Sequence, residues 1–301
     1  MKVAVLMSTY NGEKYLEEQI RSILGQQGDF FLELWVRDDG SQDRTRELLE
    51  TYAQEGKLQW YTGVNLKPAK SFLDLLLHCP GYDYYAFADQ DDIWYPDKLQ
   101  RGIGLLQDCD GPGISFANAQ LVDGELNPLG RNVYKRQPRT DFYSLLIAGN
   151  VLGCTMLLNR EMAELVRGKS MPETINMHDY YLLNLCTLYG GTVAYEQTPC
   201  MDYRQHGANV VGAKWTKCSA LQDRLRRITT PAKVSIATQA QTILRQYGDA
   251  PDEEKVAFLR QVAEYRHSFL TAMRLACSRK PRFNGKNMEF TIRLAILLRN
   301  R

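Results

Sequence analysis

Apolar and polar positions along the chain alternate between two periods. Lys2–Ser8 is a short β-rich apolar run, after which Leu16, Ile20, Ile23 and Leu24 fall at helical spacing within Glu13–Gln27, with glutamates on the opposite face. The same exchange repeats. Phe31–Arg37 reads as a strand, and Ser41 or Asp43 is placed to cap a helix running to about Glu55. Leu58–Thr62 is a third strand, and Lys67–His78 is a further amphipathic helix. Tyr82–Ala88 is a very apolar strand that stops at Asp89-Gln90-Asp91-Asp92, and Pro96 opens a helix to about Gln107. The middle is less regular: strands are expected at Gly113–Val122, Gly153–Leu158 and Thr192–Glu196, and helices at Asp141–Ile147 and His178–Tyr189. A polar loop is expected from Pro199 to Gly212. From Ala213 the pattern is entirely helical. Strand–helix alternation of this kind predicts an α/β fold, a mostly parallel sheet with helices on both faces, followed by a C-terminal helical extension.

Composition narrows the class without naming a function. The chain has 301 residues, 44% hydrophobic and 24% charged, as in a folded globular protein rather than a disordered one. No 18-residue stretch lacks charge, so no membrane-spanning helix is expected. The first apolar run is too short for a secretory leader, which predicts a cytoplasmic protein. Seven cysteines form no CxxC pair and read as free thiols in a reducing compartment rather than as a zinc site. Charge changes the picture most. Residues 1–212 carry 19 Lys+Arg against 28 Asp+Glu, whereas residues 213–301 carry 18 against 7. An acidic body with a basic tail puts the domain boundary near residue 213.

Chemistry gathers in four clusters, three of them at the carboxyl ends of expected strands, where open α/β sheets bind ligands. Ser8-Thr9-Tyr10-Asn11-Gly12 lets a backbone approach a ligand closely, or is an ordinary capping turn. Asp38-Asp39-Gly40-Ser41 supplies acceptors for a nucleobase imide or a ribose hydroxyl, or is a turn with an N-cap. Asp89, Asp91 and Asp92 crowd three carboxylates after a buried strand, and hard oxygen donors with that much repulsion suit Mg²⁺ or Mn²⁺. The fourth cluster has two parts, His178-Asp179 at the start of a helix and Tyr203-Arg204-Gln205-His206. A cation, an arginine and a histidine make a cradle for a diphosphate. Neither GxGxxG nor GxxxxGK[ST] occurs, which disfavours dinucleotide and P-loop enzymes.

Six segments occur in one order over residues 1–212: STYNG (8–12), RDDGSQDRT (37–45), FADQDDIWYPDKL (87–99), GNVLGC (149–154), MHDYY (177–181) and YRQHGANVVG (203–212). Together they resemble the family 2 glycosyltransferases of GT-A fold, a Rossmann-like nucleotide-diphospho-sugar transferase fold. More narrowly they are similar to bacterial rhamnosyltransferases that build cell-wall or capsular rhamnose polysaccharides. The resemblance implies a catalytic domain over 1–212, with a nucleotide-sugar half at 1–110 and an acceptor half at 111–212, and a separate extension at 213–301. It implies that Thr9, Tyr10, Asn11, Asp39, Ser41, Asp89, Gln90 and Arg204 meet the nucleotide sugar. Asp91 and His206 would hold the metal, and His178, Gly153 and Cys154 would meet the acceptor. Asp179 falls where inverting members keep their base; many have Glu-Asp there, and this chain has His-Asp.

The implied reaction is a single inverting displacement, in which a metal-assisted diphosphate departs while Asp179 deprotonates the acceptor hydroxyl. The implied donor is dTDP-β-L-rhamnose, with UDP-glucose or UDP-galactose as alternatives. The implied acceptor is a lipid-linked or polysaccharide hydroxyl. A metal-dependent phosphohydrolase and a non-catalytic nucleotide-sugar binding protein are the rival classes. The basic tail carries no nucleic-acid motif. It reads either as a contact with an anionic membrane at the inner leaflet, or as helices packed on the body or on a second subunit of a homodimer.

Overall fold

The computed structural model describes residues 1–149, 151–206 and 234–300. The chain forms two compact units. The first comprises Met1–Gln137, Leu152–Met171 and the described residues of Gly191–Asn209; the second comprises the described residues of Pro138–Val151, Pro172–Gly190 and Val210–Arg301. The boundary expected at residue 213 falls outside the described residues, as do the expected helical segment 213–233 and the tail of the 203–212 motif.

The first unit is built on one sheet. Strands β1 (Lys2–Thr9), β2 (Phe31–Asp38), β3 (Gln59–Thr62) and β4 (Tyr84–Ala88) are parallel, in the order β3-β2-β1-β4. Beyond β4 lie β8 (Leu157–Asn159), β6 (Gly113–Val122), β9 (Thr192–Arg204) and β5 (Ile93–Trp94), with β7 (Pro128–Asn132) paired to β6. β8 runs antiparallel to both β4 and β6, and β9 is parallel to β6. The sheet is therefore mixed and predominantly parallel at its site-bearing half.

β1 is apolar from Val3 to Met7 because that stretch is covered on both faces. Val3, Val5 and Met7 pack with Leu16, Ile20 and Ile23 of α1 (Leu16–Leu24), with Leu49 of α2 (Thr45–Gln54) and with Leu99 and Ile103 of α4 (Lys98–Gly104). Ala4 and Leu6 point the other way and are equally buried. That face is covered by α3 (Lys67–His78), whose Phe72 meets Phe87 of β4 edge to face at 5.5 Å, and by α6 (Arg160–Arg167), where Arg167 donates to Tyr85 and to the Leu76 carbonyl. Alternate residues serving two cores give the unbroken run that a one-sided sheet would not.

Three expectations need correction. Gly153–Thr155 is a 3-10 turn rather than part of a strand, and only Leu157–Asn159 joins the sheet. β9 continues through Pro199 to Arg204, because register shifts against β6 set Pro199 beside Asn118, where the ladder is already broken. α6, β5 and β7 were not expected; α6 is capped by Asn159, whose side chain accepts from Met162 N–H.

The second unit is helical. α5 (Phe142–Ala148) is capped by Asp141, and α7 (His178–Leu188) packs against it. α8 (Ile236–Tyr247), α9 (Glu253–Glu264), α10 (Phe269–Cys277) and α11 (Lys286–Leu297) complete it. Ser235, Asp252 and Ser268 cap α8, α9 and α10 by accepting backbone N–H groups. Among the described residues, no helix is long and apolar enough to cross a membrane.

Candidate active site

β1, β2 and β4 end on one edge of the sheet, and the three loops that leave them interlock. Asp38 is the hub of the β2 loop. It is fully buried and accepts from Gly40 N–H at 3.1 Å, Ser41 N–H at 2.9 Å, Arg46 at 2.9 Å, Thr9 at 3.3 Å and the Ser41 hydroxyl. Burial pushes its carboxyl up, but the bonds from Ser41 and Arg46 outweigh burial and hold it below the usual carboxylate range. Asp39, buried beside it, accepts from Arg37 and from Lys67 N–H at 2.9 Å. An ionised carboxylate offers about four acceptor positions, so these two bonds still leave room for a ligand N–H or hydroxyl.

The β1 loop is clamped from both sides. Asn11, at φ 48°, donates its N–H to Ser41 and accepts from Gln42, tying the β1 and β2 loops together. Tyr10 is half exposed, and its backbone forms two bonds with the Gln90 amide, at 2.9 and 3.2 Å. Gly12 permits this approach: a Cβ there would stand 2.3 Å from Gln90 Oε1. Thus Thr9, Tyr10, Asn11, Asp39, Ser41 and Gln90 are brought together.

The acidic loop after β4 divides its carboxylates between two neighbourhoods. Asp91 Oδ2 lies 2.7 Å from His206 Nε2. Asp89, Asp92 and Cys154 form a deeper group, with one ligand atom from each within 4.8 Å of the others. Cys154 was expected to meet the acceptor. Its side chain is instead buried with these acids, and Gly153 before it is buried in the 3-10 turn. Burial, then Asp91 and Asp89, push Asp92 well above the ordinary carboxylate range. Burial, then Asp89 and Asp92, do the same to the Cys154 thiol.

Arg204 behaves differently from its expected role. It was placed on the donor diphosphate, yet it is 2% exposed and its guanidinium is committed to protein. Nε donates to the Asp91 carbonyl at 2.8 Å, Nη1 to the Gly124 carbonyl at 2.7 Å and Nη2 to Glu18 at 2.5 Å. Its backbone N–H reaches Asp92 at 3.1 Å. The guanidinium lies 4.3 Å from the centre of the Tyr15 ring, which in turn sits 5.0 Å from the His206 ring. Arg204 therefore braces the acidic loop and the wall that carries His206. Tyr15 and Glu18 were not among the expected site residues and carried no sequence signal; Asp38 and Asp92 stood in the two acidic clusters read from the sequence, without an individual role assigned to either.

His178 and Asp179 belong to the second unit, in the first turn of α7. Asp179 is partly exposed, at the helix N-terminus. His178, expected to meet the acceptor, is 2% exposed among core residues, and burial lowers its pKa to about 3, so the ring is neutral.

The acidic loop fits a divalent cation. It crowds three carboxylates into one short loop, and Asp92 Oδ2 is buried without a hydrogen-bond partner among the described residues. Asp91 and His206 already point hard-oxygen and imidazole donors at one another. To ligate a cation, His206 would turn a lone pair rather than a proton toward that point.

A model described as Glycosyl transferase family 2 matches residues 4–166. The dTDP-rhamnosyl transferase RfbG of Shigella flexneri is 33% identical over 228 residues, covering 69% of this chain and 74% of that protein. The UDP-Glc:alpha-D-GlcNAc-diphosphoundecaprenol beta-1,3-glucosyltransferase WfgD of Escherichia coli is 28% identical over 181 residues, covering 60% and 67%. Among solved structures, S. aureus TarS 1-349 in complex with UDP-GlcNAc superposes with a TM-score of 0.52 at 17% identity, over 92% of this chain and 81% of that one. The mannosyltransferase PcManGT from Pyrobaculum calidifontis, in complex with GDP-Man and Mn²⁺, gives 0.51 at 18% identity, over 99% and 85%. The two structural likenesses establish a shared GT-A fold.

Proposed function

The chain belongs to glycosyl transferase family 2, and from that membership we propose that it is an inverting rhamnosyltransferase. It would move L-rhamnose from dTDP-β-L-rhamnose to a hydroxyl of a lipid-linked or polysaccharide acceptor. The observation that carries the donor assignment is the 33% identity to a dTDP-rhamnosyl transferase across most of both chains. Cell-wall or capsular polysaccharide synthesis, at the inner face of the plasma membrane, is the setting that this reading implies.

Thr9, Tyr10, Asn11, Asp39 and Ser41 receive the nucleotide, and Gln90 fixes the Tyr10 backbone while they do so. A divalent cation, Mn²⁺ or Mg²⁺, held by Asp91 and His206 would supply neutralisation of charge at the diphosphate. Arg204 keeps the Asp91 backbone and the His206 wall in place. Asp179 takes the proton of the acceptor hydroxyl at its carboxylate. The new oxygen–anomeric carbon bond then forms as the bond to the diphosphate oxygen breaks on the opposite face, so the configuration inverts and dTDP leaves.

A second donor is favoured by one specific observation, the 28% identity to a UDP-glucose-dependent transferase. The test is a donor screen with dTDP-rhamnose, UDP-glucose and UDP-galactose, read by nucleotide release with saccharide acceptor present. Release from dTDP-rhamnose alone supports the proposal; release from UDP-glucose alone replaces it.

A further inference from the structure

α10 and α11 carry more exposed apolar surface than the fold requires. α10 already buries Ala272, Leu275 and Ala276, and α11 buries Thr291, Ile292, Ala295 and Ile296. Their other faces stay apolar. On α10, Phe269 is 58% exposed, Leu270 64% and Met273 41%, and Cys277 is exposed one turn further. On α11, Phe290 is 67% exposed, with Leu294 half-buried one turn on and Leu298, just past the helix, 51% exposed. Positions 269, 273 and 277, and 290, 294 and 298, are spaced four apart, so each set lines one side of its helix. Scattered exposed apolar residues are ordinary. Two such ridges on neighbouring helices are not.

Charge selects the occupant. Between Tyr265 and Asn300, eight Lys and Arg residues stand against a single acid, Glu289. Several are spoken for: Lys280 pairs with Glu254, Arg282 with Asp141 and Arg293 with Glu289. Arg274, Arg279, Lys286 and Arg299 are exposed and enter no ion pair among the described residues. Arg274 stands one turn from Leu270, Lys286 one turn from Phe290, and Arg299 follows Leu298. A twofold contact between two copies of this face would set cations against cations. An anionic lipid surface accepts both components at once, with cations at the headgroups and aromatic and aliphatic side chains at the acyl boundary.

We infer that the outer ridges of α10 and α11 form a docking surface for anionic phospholipid. This names the contact behind the membrane placement proposed above and takes its purpose from that reading. Ile292 and the other inward residues of α11 take no part, since they fill the core.

Full-length protein is mixed with vesicles of phosphatidylcholine alone or with a third phosphatidylglycerol, sedimented, and compared with the double variant Phe269→Ser/Phe290→Ser. Both positions are more than half exposed, so the fold tolerates the change. Binding only to anionic vesicles, released by high salt, and a partition coefficient at least about tenfold lower for the variant are expected. The sedimentation coefficient without vesicles stays the same. Unchanged vesicle binding by the variant overturns the inference. So does unchanged vesicle binding accompanied by conversion of a dimer to a monomer, which assigns the ridges to a subunit interface. Salt-sensitive vesicle binding by a protein that releases nucleotide from none of the three donors keeps this surface and removes the donor assignment made above.

Discussion

Arg204 donates Nε–H to the backbone carbonyl of Asp91 at 2.8 Å, from a position 2% exposed to solvent. The loop expected to hold a cation is thus fixed from beneath by a guanidinium whose other arms hold Gly124 and Glu18. Lysine keeps the charge but loses the planar fork, leaving carbonyls without donors. Arg204→Lys should therefore cost about 2–3 kcal/mol of stability, and also raise the Mn²⁺ concentration that half-activates transfer. Thermal unfolding and metal titration of activity measure both. An unchanged melting temperature with only a raised donor KM would put Arg204 on the diphosphate after all.

The acidic loop should make transfer metal-dependent. EDTA should abolish activity, and Mn²⁺ or Mg²⁺ should restore it. Asp91→Ala should lower kcat/KM by at least about 10²-fold. The variant should still fold, because it also removes a negative charge that pushes Asp92 upward. Full activity of Asp91→Ala in the presence of EDTA would falsify the metal assignment.

How legible this protein was from its sequence depended on how each residue is used. β1 and β4 announced themselves because burial on both faces demands continuous apolar runs. β5 is two residues long and β7 reads Pro-Leu-Gly-Arg-Asn, so neither has a period to detect. The acidic loop and the β1 and β2 loops were legible because their chemistry is local. Cys154 was misplaced because its partners lie more than sixty residues away, and nothing near it encodes them. Arg204 was misread for a similar reason: an arginine beside a histidine suggests phosphate, whereas the carbonyls that it satisfies belong to residues of any type.

Gly12 and Gln90 provide a coupled test of the donor loop. Ala at position 12 has an acceptable backbone but would push the Gln90 amide off the Tyr10 backbone. Gly12→Ala and Gln90→Ala should each raise the donor KM about three- to tenfold, the worth of one or two hydrogen bonds. The double variant should be no worse than either single one, because the clash and the bonds vanish together. Multiplicative effects would show that the two residues act separately.

Asp179→Asn keeps the shape of the proposed base and removes its basicity. Turnover should fall by at least about 10²-fold, the low end for general-base catalysis. Donor affinity, measured by calorimetry with dTDP-rhamnose, should barely change. A collapse of donor affinity with modest loss of turnover would make Asp179 a binding residue and place the base elsewhere.

His178, the neighbour of that base, sets a limit on acid stability. Its folded pKa of about 3 lies below the roughly 6.5 of an unfolded histidine, so acid protonates the unfolded chain first. Between those two values the unfolded state binds more protons, and stability falls as the pH falls, by up to about 1.4 kcal/mol per pH unit. Above about pH 7 the residue contributes no slope. His178→Gln removes this proton uptake while leaving a polar side chain in place. Its unfolding free energy, relative to the parent protein, should be flat above pH 7 and should rise in the variant's favour from pH 6 to about pH 4. Urea denaturation across that range measures the difference. Parallel curves would mean that His178 takes up its proton in the folded protein as readily as in the unfolded chain, and would overturn this prediction.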